Sequence, residues 1–130
     1  MNILALDIGT SSVKAAVLDV ETGKALGPIA HVHEQLEAPA AEAEEVPAER
    51  LWQAAGAAAR QAVQRAHVAG TAADVAGVGL SVMTPALVLV DKQDKPLVPV
   101  WTHLDRRSRP VARQVSKSSA VEAIQELGAQ

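Results

Sequence analysis

Residues 3–18 have the sequence Ile-Leu-Ala-Leu-Asp-Ile-Gly-Thr-Ser-Ser-Val-Lys-Ala-Ala-Val-Leu, in which a short polar turn separates two β-rich runs. Because only this turn lies between them, residues 3–7 and 13–19 are predicted to be adjacent antiparallel strands. The next segment, Asp19-Val20-Glu21-Thr22-Gly23, has the composition of a hairpin turn into a third strand near Pro28–Leu36. We therefore expect the chain to begin with a three-stranded antiparallel meander.

The turn between the first two strands has the residues of an anion-binding loop. Gly9 allows a tight turn and a close approach to a ligand. Successive backbone N–H groups in such a turn form a concave anion site, and the hydroxyls of Thr10, Ser11 and Ser12 add donors. Asp7 ends the first strand beside it, where a carboxylate would hold Mg²⁺ through water. An ordinary β-hairpin with a polar turn fits the same residues, and both interpretations stay open on this motif alone.

The composition excludes several classes of protein. A chain of 130 residues that is 48% hydrophobic makes one domain, and its two tryptophans without Phe or Tyr argue against a nucleic-acid binder that stacks bases. The net charge of −3 also provides no basic footprint for DNA or RNA. The absence of cysteine excludes disulfides and thiolate metal sites. No apolar run approaches the ~20 residues of a membrane span. We expect a soluble, cytoplasmic protein with no membrane partner.

A long helix is predicted to begin at Pro47, where the missing N–H costs nothing. Its apolar face recurs at intervals of three and four residues, at Leu51, Ala55, Ala58, Ala62 and Ala66. A face of alanines lets a helix lie close to a sheet, and Trp52 is interpreted as a packing residue beside it. The helix should stop near Gly70. The preceding segment, Glu37–Glu45, is expected to be an exposed connection.

The second half of the chain returns to β-rich segments. Asp74–Ser81 is predicted to be a strand in which Gly77 and Gly79 leave one face bare for a close approach by another backbone or a ligand. Leu87–Val90 has no polar alternation, which favours a buried parallel or central strand. The remaining expectations are a tight turn at Asp91–Pro96, a return strand at Leu97–Val100, a helix from about Arg109 with Ser108 as N-cap, and a last helix at Ala120–Leu127 capped by Ser119.

The order of these elements indicates an α/β fold with a mixed sheet packed by helices, the first half of a ribonuclease H-like layer. A Rossmann unit would need a helix directly after the first Gly-rich turn, whereas residues 13–18 are β-branched and alternating. A P-loop is excluded because no Gly-x-x-x-x-Gly-Lys occurs.

Three separated segments together resemble the N-terminal portion of the FGGY family of carbohydrate kinases, within the actin-like ATPase superfamily. They are Leu4 to Asp19 with Asp7-Ile8-Gly9-Thr10, then Val46-Pro47-Ala48-Glu49-Arg50-Leu51-Trp52, and finally Val78-Gly79-Leu80-Ser81 through Trp101 to Asp105-Arg106-Arg107. The resemblance covers the whole chain, residues 1–130. It implies an enzyme, an ATP-dependent sugar kinase similar to xylulokinases or gluconokinases, with ATP and Mg²⁺ as cofactors and a sugar or polyol as substrate.

The resemblance assigns roles residue by residue. It implies that Asp7 lies near Mg²⁺ and the transferred phosphate, and that Gly9, Thr10, Ser11 and Ser12 cradle the phosphates of ATP. Phosphoryl transfer needs mainly positioning and charge neutralisation, which such a turn can supply.

The same resemblance places Trp101, Asp105 and Arg107 at the sugar. A Trp face can stack on the C–H face of a sugar, and a carboxylate can accept hydrogen bonds from its hydroxyls. Lys14 and Arg107 are also consistent with ordinary solvated charges.

Two departures from the family pattern concern the substrate. Relatives carry a polar pair just before the hydrophobic strand, where this chain has Thr84 and Pro85. Sugar recognition through Thr84 must therefore differ from recognition through the polar pair of the relatives. Relatives also separate the Trp from the Asp by one residue, whereas Thr102-His103-Leu104 lies between them here. His103 is a candidate for the missing polar contact, although a lone loop histidine is more often without a ligand.

The chain is much shorter than family members, which carry their catalytic aspartate and adenosine motif downstream. No catalytic residue is expected within residues 1–130, and the fragment alone is expected to be inactive and to self-associate through apolar surface exposed by truncation. Two alternatives remain: another kinase of the same superfamily, or a non-catalytic ribonuclease H-like module for assembly or ligand sensing. The identity of the sugar stays open.

Overall fold

The computed structural model describes residues 1–70 and 74–117. The elements in chain order are β1 (Asn2–Ile8), β2 (Ser12–Asp19), β3 (Ala30–His33), β4 (Glu45–Val46), α1 (Ala48–Val68), β5 (Val75–Val82), β6 (Val100–Trp101) and α2 (Arg109–Val115). The helix expected at Ala120–Leu127 and its cap Ser119 lie outside the described residues. Ser108 does precede α2, but its side chain makes no capping hydrogen bond.

The main sheet is mixed and has the strand order β3-β2-β1-β5. β1 pairs antiparallel with β2, and β2 pairs antiparallel with β3. β5 joins the other side of β1 in parallel, after the crossover through α1. A second, two-stranded sheet is formed by β4 and β6. The predicted α/β class with a mixed sheet and helices is therefore confirmed.

Helix α1 covers one face of the main sheet. The buried residues of the helix are Ala54, Ala55, Ala58, Ala62 and Ala66. They pack against buried sheet residues that include Leu4, Val13, Ala15, Val17 and Ala30. Because each alanine contributes a single methyl group, the helix backbone lies close to the strands. The predicted helix and its apolar face are confirmed, with Pro47 one position before the first helical residue and Gly70 at φ 76° after its end.

The segment Leu87–Val90 is not the buried strand that its apolar run predicted. Leu87 and Val90 make only isolated bridges, to Trp101 and Pro96 respectively. All four side chains are exposed, Leu87 at 51%. The segment forms a hairpin outside the four-stranded sheet, so its apolar residues have no layer over them among the described residues. The tight turn of this hairpin is confirmed: Asp91 Oδ1 accepts hydrogen bonds from the backbone N–H of Gln93 (2.8 Å) and Lys95 (2.9 Å).

The prediction that Trp52 packs in the core was wrong. Trp52 is 75% exposed, because it lies at the flank of the alanine stripe and not over the sheet. The connection Glu37–Glu45 is exposed as predicted over residues 37–42, but Ala43 and Glu45 are buried and its two ends pair with each other. Arg50 ties this connection to the start of α1, through Nη1 to Glu37 at 2.7 Å.

No helix in the described ranges, residues 1–70 and 74–117, is both long enough and apolar enough to cross a bilayer.

Gly27 marks the closest approach between a loop and α1, and it provides a test of this packing. A Cβ on Gly27 would lie 2.9 Å from the carbonyl oxygen of Arg65 and 3.0 Å from the nitrogen of Ala66. Both are backbone atoms of a helix, so they cannot swing away. We expect Gly27→Ala to lower the free energy of unfolding by about 1–3 kcal/mol, the range for overpacking.

Gly77→Ala is the matched control for this substitution, because a Cβ there would meet nothing within 4 Å. It should leave stability unchanged or raise it by about 0.4–1 kcal/mol through loss of unfolded-state entropy. Urea unfolding of both variants with the wild type measures the difference. Equal stabilities for the two variants would show that α1 does not approach Gly27 this closely.

Candidate functional site

The end of β1 presents Asp7 on the sheet face opposite α1. Side chains alternate along a strand, so Leu4, Leu6 and Ile8 face the helix while Asp7 faces away from it. Across the sheet, the register places Lys14 of β2 and Ser81 of β5 on either side of Asp7. Lys14 Nζ lies 3.8 Å from the Asp7 carboxylate, and both side chains are about half exposed. Asp7, Lys14 and Ser81 line a shallow concavity of about 390 Å³.

The turn after β1 is closed by its own backbone. The N–H of Gly9 donates to the carbonyl oxygen of Ser12 at 3.0 Å, and a Cβ on Gly9 would lie 3.2 Å from that same oxygen. This contact favours glycine, because any larger residue would require the Ser12 carbonyl to shift by a few tenths of an ångström. Ser12 is buried as the first residue of β2, whereas Ser11 is exposed and Thr10 is half-buried. Of the four residues predicted to cradle phosphate, Ser11 is the most accessible and Ser12 the least, with Gly9 and Thr10 between them.

Sequence reasoning did not single out His31 and His33, although their i, i+2 spacing in a strand puts them on one face. They lie in register with Lys14 and Ser12, and their rings are 4.4 Å apart between centroids. The polar row on the open face of the sheet therefore extends from Ser81 through Asp7 and Lys14 to His31.

A second concavity, of about 850 Å³, gathers most of the residues predicted to contact a sugar. Trp101, His103, Asp105 and Arg107 all line it, together with Pro85. Thr84 is absent from this lining, and its hydroxyl donates to the carbonyl oxygen of Val82 at 3.0 Å. The two concavities share no lining residue.

Asp105 is closely engaged by its own loop. Its Oδ2 accepts from Arg107 Nε at 2.9 Å, from Arg107 Nη2 at 2.6 Å and from the backbone N–H of Glu44 at 3.1 Å. Its Oδ1 accepts the backbone N–H of Arg107 at 3.1 Å. Hydrogen bonds from the Arg107 side chain, which favour the charged form, are the main reason that the pKa of Asp105 falls to about 2. The same contact raises the pKa of Arg107.

The Arg107 guanidinium lies over the indole of Trp101, with Cζ 5.5 Å from the ring centroid. This distance is within the range of a cation–π interaction. Two residues that sequence reasoning missed support the arrangement. Glu45 accepts from Arg107 Nη2 at 2.5 Å. Buried Thr102 donates its hydroxyl to the carbonyl oxygen of Glu44 at 2.9 Å. The Thr-x-x-Asp spacing of residues 102–105 was the one local signal, because it is typical of a hydrogen-bonded turn.

No group of three or more His, Asp or Glu side chains that could hold a metal is found in residues 1–70 and 74–117. Asp7 is thus a single carboxylate, which suits a cation held mainly by water and by a phosphate ligand.

Comparison with known proteins identifies the family. Residues 2–130 match the N-terminal domain of the FGGY family of carbohydrate kinases. The chain belongs to the FGGY family. The membership predicted from the three sequence segments is confirmed. A search of curated proteins found no match.

Several solved structures have the same fold as this FGGY chain. A xyloylose kinase from Brucella ovis superposes with a TM-score of 0.83 at 27% identity, covering 95% of this chain and 25% of that one. A xylulose kinase from Rhodospirillum rubrum gives 0.78 at 23% identity, with 92% and 24% covered. A Plasmodium falciparum glycerol kinase with ADP gives 0.82 at 15% identity, with 93% and 24% covered. The FGGY chain thus spans about a quarter of the length of these kinases.

The depressed pKa of Asp105 predicts how the stability of this FGGY chain depends on pH. The carboxyl has a pKa of about 2 in the folded chain against 3.8 ordinarily, so the unfolded chain binds more protons between these values. Stability from Asp105 is therefore fully present above about pH 4 and is lost as the pH falls toward 2. Urea unfolding between pH 4 and pH 2 should show that the free energy of unfolding falls more steeply with decreasing pH for the wild type than for Asp105→Asn. Asp94→Asn, in an exposed turn, should keep the wild-type slope.

Proposed function

We propose that this chain is the leading part, residues 1–130, of an ATP-dependent kinase that transfers the γ-phosphoryl group of ATP to a hydroxyl of a sugar or polyol, in the manner of a xylulokinase or gluconokinase. One observation carries the proposal: in a chain of the FGGY family, Asp7 is exposed at the end of β1 directly before the Gly9–Ser12 turn. We further propose a ribonuclease H-like layer for the sheet and a cytoplasmic location.

The residues around the turn fit a magnesium nucleotide. Mg²⁺ prefers carboxylate, water and phosphate oxygens, and Asp7 offers an accessible carboxylate. Thr10 and Ser11 offer accessible hydroxyls next to it, and Gly9 lets the backbone come close. When bound, Mg-ATP supplies the phosphoryl group. Asp7 would hold and orient the cation and the turn would hold phosphate oxygens, while Lys14, 3.8 Å from the Asp7 carboxylate, would add positive charge beside them.

The larger concavity is proposed as the sugar site. Trp101 offers a flat apolar face, and Arg107 and His103 offer donors at the same wall. Asp105 Oδ1 accepts a single protein hydrogen bond among the described residues, so it has capacity for a substrate hydroxyl. Thr84 is proposed as a peripheral contact, because its hydroxyl is already turned to its own backbone.

A nucleotide titration tests the proposal. Backbone amide NMR of the chain with a non-hydrolysable ATP analogue should show shifts at Thr10–Ser12 that require Mg²⁺. The same titration of Asp7→Asn should lose the Mg²⁺ dependence, while Asp94→Asn should retain it. If no residue of the turn responds to the nucleotide, the non-catalytic assembly or sensing module becomes the better explanation.

Apolar surface on β5 bears on the behaviour of the isolated chain. Val78, Leu80 and Val82 are 59%, 65% and 49% exposed. Exposed apolar side chains grouped on one strand support the proposal that the chain self-associates when separated from the rest of such a kinase.

A further inference from the structure

Glu45 is a buried carboxylate to which neither the family motifs nor the proposed reaction gives a role. Its side chain is only 11% exposed, and it lies on the two-residue strand β4 directly opposite Trp101 of β6. A buried carboxylate is costly unless it is paired and hydrogen-bonded. The partner here is Arg107, whose Nη2 lies 2.5 Å from Glu45 Oε2.

Arg107 is held from two independent parts of the chain. Asp105, two residues away, takes Nε and Nη2 but belongs to the same loop as Arg107. Glu45 is 62 residues away in sequence and is fixed in β4 next to the indole that the guanidinium covers. Because guanidinium is planar, two carboxylates bound at Nε and Nη2 fix the direction of the whole group.

One nitrogen of the guanidinium remains for a ligand. The recorded hydrogen bonds use Nε and Nη2, and Nη1 has no partner within residues 1–70 and 74–117. The Arg107 side chain is 39% exposed and lines the larger concavity. Nη1 is therefore the donor whose direction depends on how the other two nitrogens are held.

We propose that Glu45 is a positioning residue that holds Arg107 over Trp101 and so orients Nη1 for an oxygen of the substrate. The substrate part rests on the proposed function, in which Trp101 and Arg107 form the sugar wall. Glu45 does not itself touch the substrate. Its contribution is to hold the guanidinium over the indole from a strand that does not belong to the loop at Asp105.

Tryptophan fluorescence tests the positioning without any need for kinase activity. In a Trp52→Phe background, Trp101 is the single tryptophan, so its fluorescence reports on the solvent exposure of its own indole. Glu45→Gln keeps the size of the side chain but removes the charge, so we expect stronger acrylamide quenching and a red shift of Trp101 emission. Glu42→Gln is the matched control, because Glu42 lies in the same connection and its half-exposed side chain pairs with Arg109 at 3.8 Å and not with Arg107. It should leave the emission unchanged.

A double-mutant comparison separates positioning from a general effect on the fold. If Glu45 acts through Arg107, then Glu45→Gln should add no further change to Trp101 emission once Arg107→Ala has removed the guanidinium. An equal effect of Glu45→Gln with and without Arg107 would overturn the proposal, as would a Glu45→Gln spectrum identical to that of the wild type. If Glu45→Gln does not fold, Glu45→Asp replaces it, because Asp shortens the side chain by one methylene. The same Trp101 spectra, with and without Arg107, are then compared.

Kinetics of a longer kinase that contains this chain test the consequence for substrate. Loss of one charge-assisted contact that orients a binding group should raise KM for the sugar about tenfold and leave kcat nearly unchanged. A change in kcat alone would contradict the assignment. A positive fluorescence result with no sugar-dependent kinetics would instead show that Glu45 positions Arg107 while the proposed function is wrong.

Discussion

Replacement of Asp7 by Asn in a kinase that contains this chain is expected to lower kcat by a factor of about 10²–10³, the range seen when one preorganised charge-stabilising group is removed. Asn retains the shape of the side chain but not the charge that balances a cation. We expect that charge to act mainly in the transition state, so kcat and kcat/KM for the sugar should fall together. Steady-state rates at saturating Mg-ATP measure the effect.

The stability of the same variant should change little. Asp7 is 54% exposed, and its ion pair with Lys14 spans 3.8 Å, so solvent screens most of the interaction. Asp94→Asn provides the control, since Asp94 is exposed with φ 59°, a backbone conformation that Asn also adopts. Near-normal kcat in Asp7→Asn would show that the carboxylate serves only the turn, and the proposed metal role would be wrong.

Residues 1–130 alone are expected to phosphorylate no sugar at a measurable rate. The chain spans about a quarter of the length of the kinases that it resembles, and the family resemblance places the general base outside this portion. A positioned acid–base group alone is usually worth about 10²–10⁴ in rate, and loss of the adenosine site would add to the deficit. A coupled assay of ADP release with xylulose, gluconate and glycerol measures this.

The assay of the isolated chain needs two references. A longer kinase that contains the chain should turn over at least one of the three substrates, and protein-free buffer gives the background. ATP-dependent phosphorylation by pure residues 1–130, with a rate that rises with protein concentration, would mean that the chain is catalytic as it stands.

Features that depend on neighbouring residues were predictable from the sequence. The turn at Gly9 follows from two β-rich runs too close together for anything but a hairpin. The alanine face of α1 follows from its helical period, and the turn at Asp91 follows from side-chain oxygens that bond the backbone just ahead. In each case the physical cause lies within a few residues of the effect.

Features that depend on what covers a residue were not predictable. Leu87–Val90 is apolar enough for a buried strand, but burial requires a layer over it, and the sequence of four residues does not contain that layer. The prediction that Trp52 is buried was wrong for the same reason, because a helical period defines a face but not how far the sheet extends beneath it.

The candidate site shows both situations. Trp101, Asp105 and Arg107 were expected together, and the contact between Asp105 and Arg107 follows from their spacing of two residues. Glu45 was interpreted as part of an exposed connection, and its pairing with Arg107 depends on β4 meeting β6 across 62 positions of sequence. No local pattern specifies such a meeting.

The alanines that α1 buries against the sheet restrict which residues these positions can tolerate over evolutionary time. At Ala58, which is fully buried, a larger side chain would force the two layers apart, whereas a glycine would weaken the helix by about 1 kcal/mol. Residues on the outer side of the same helix, such as Gln53, have no such constraint. Variation among natural sequences along Ala48–Val68 should therefore follow the helical period, with few substitutions on the side that faces the sheet and many on the side that faces solvent.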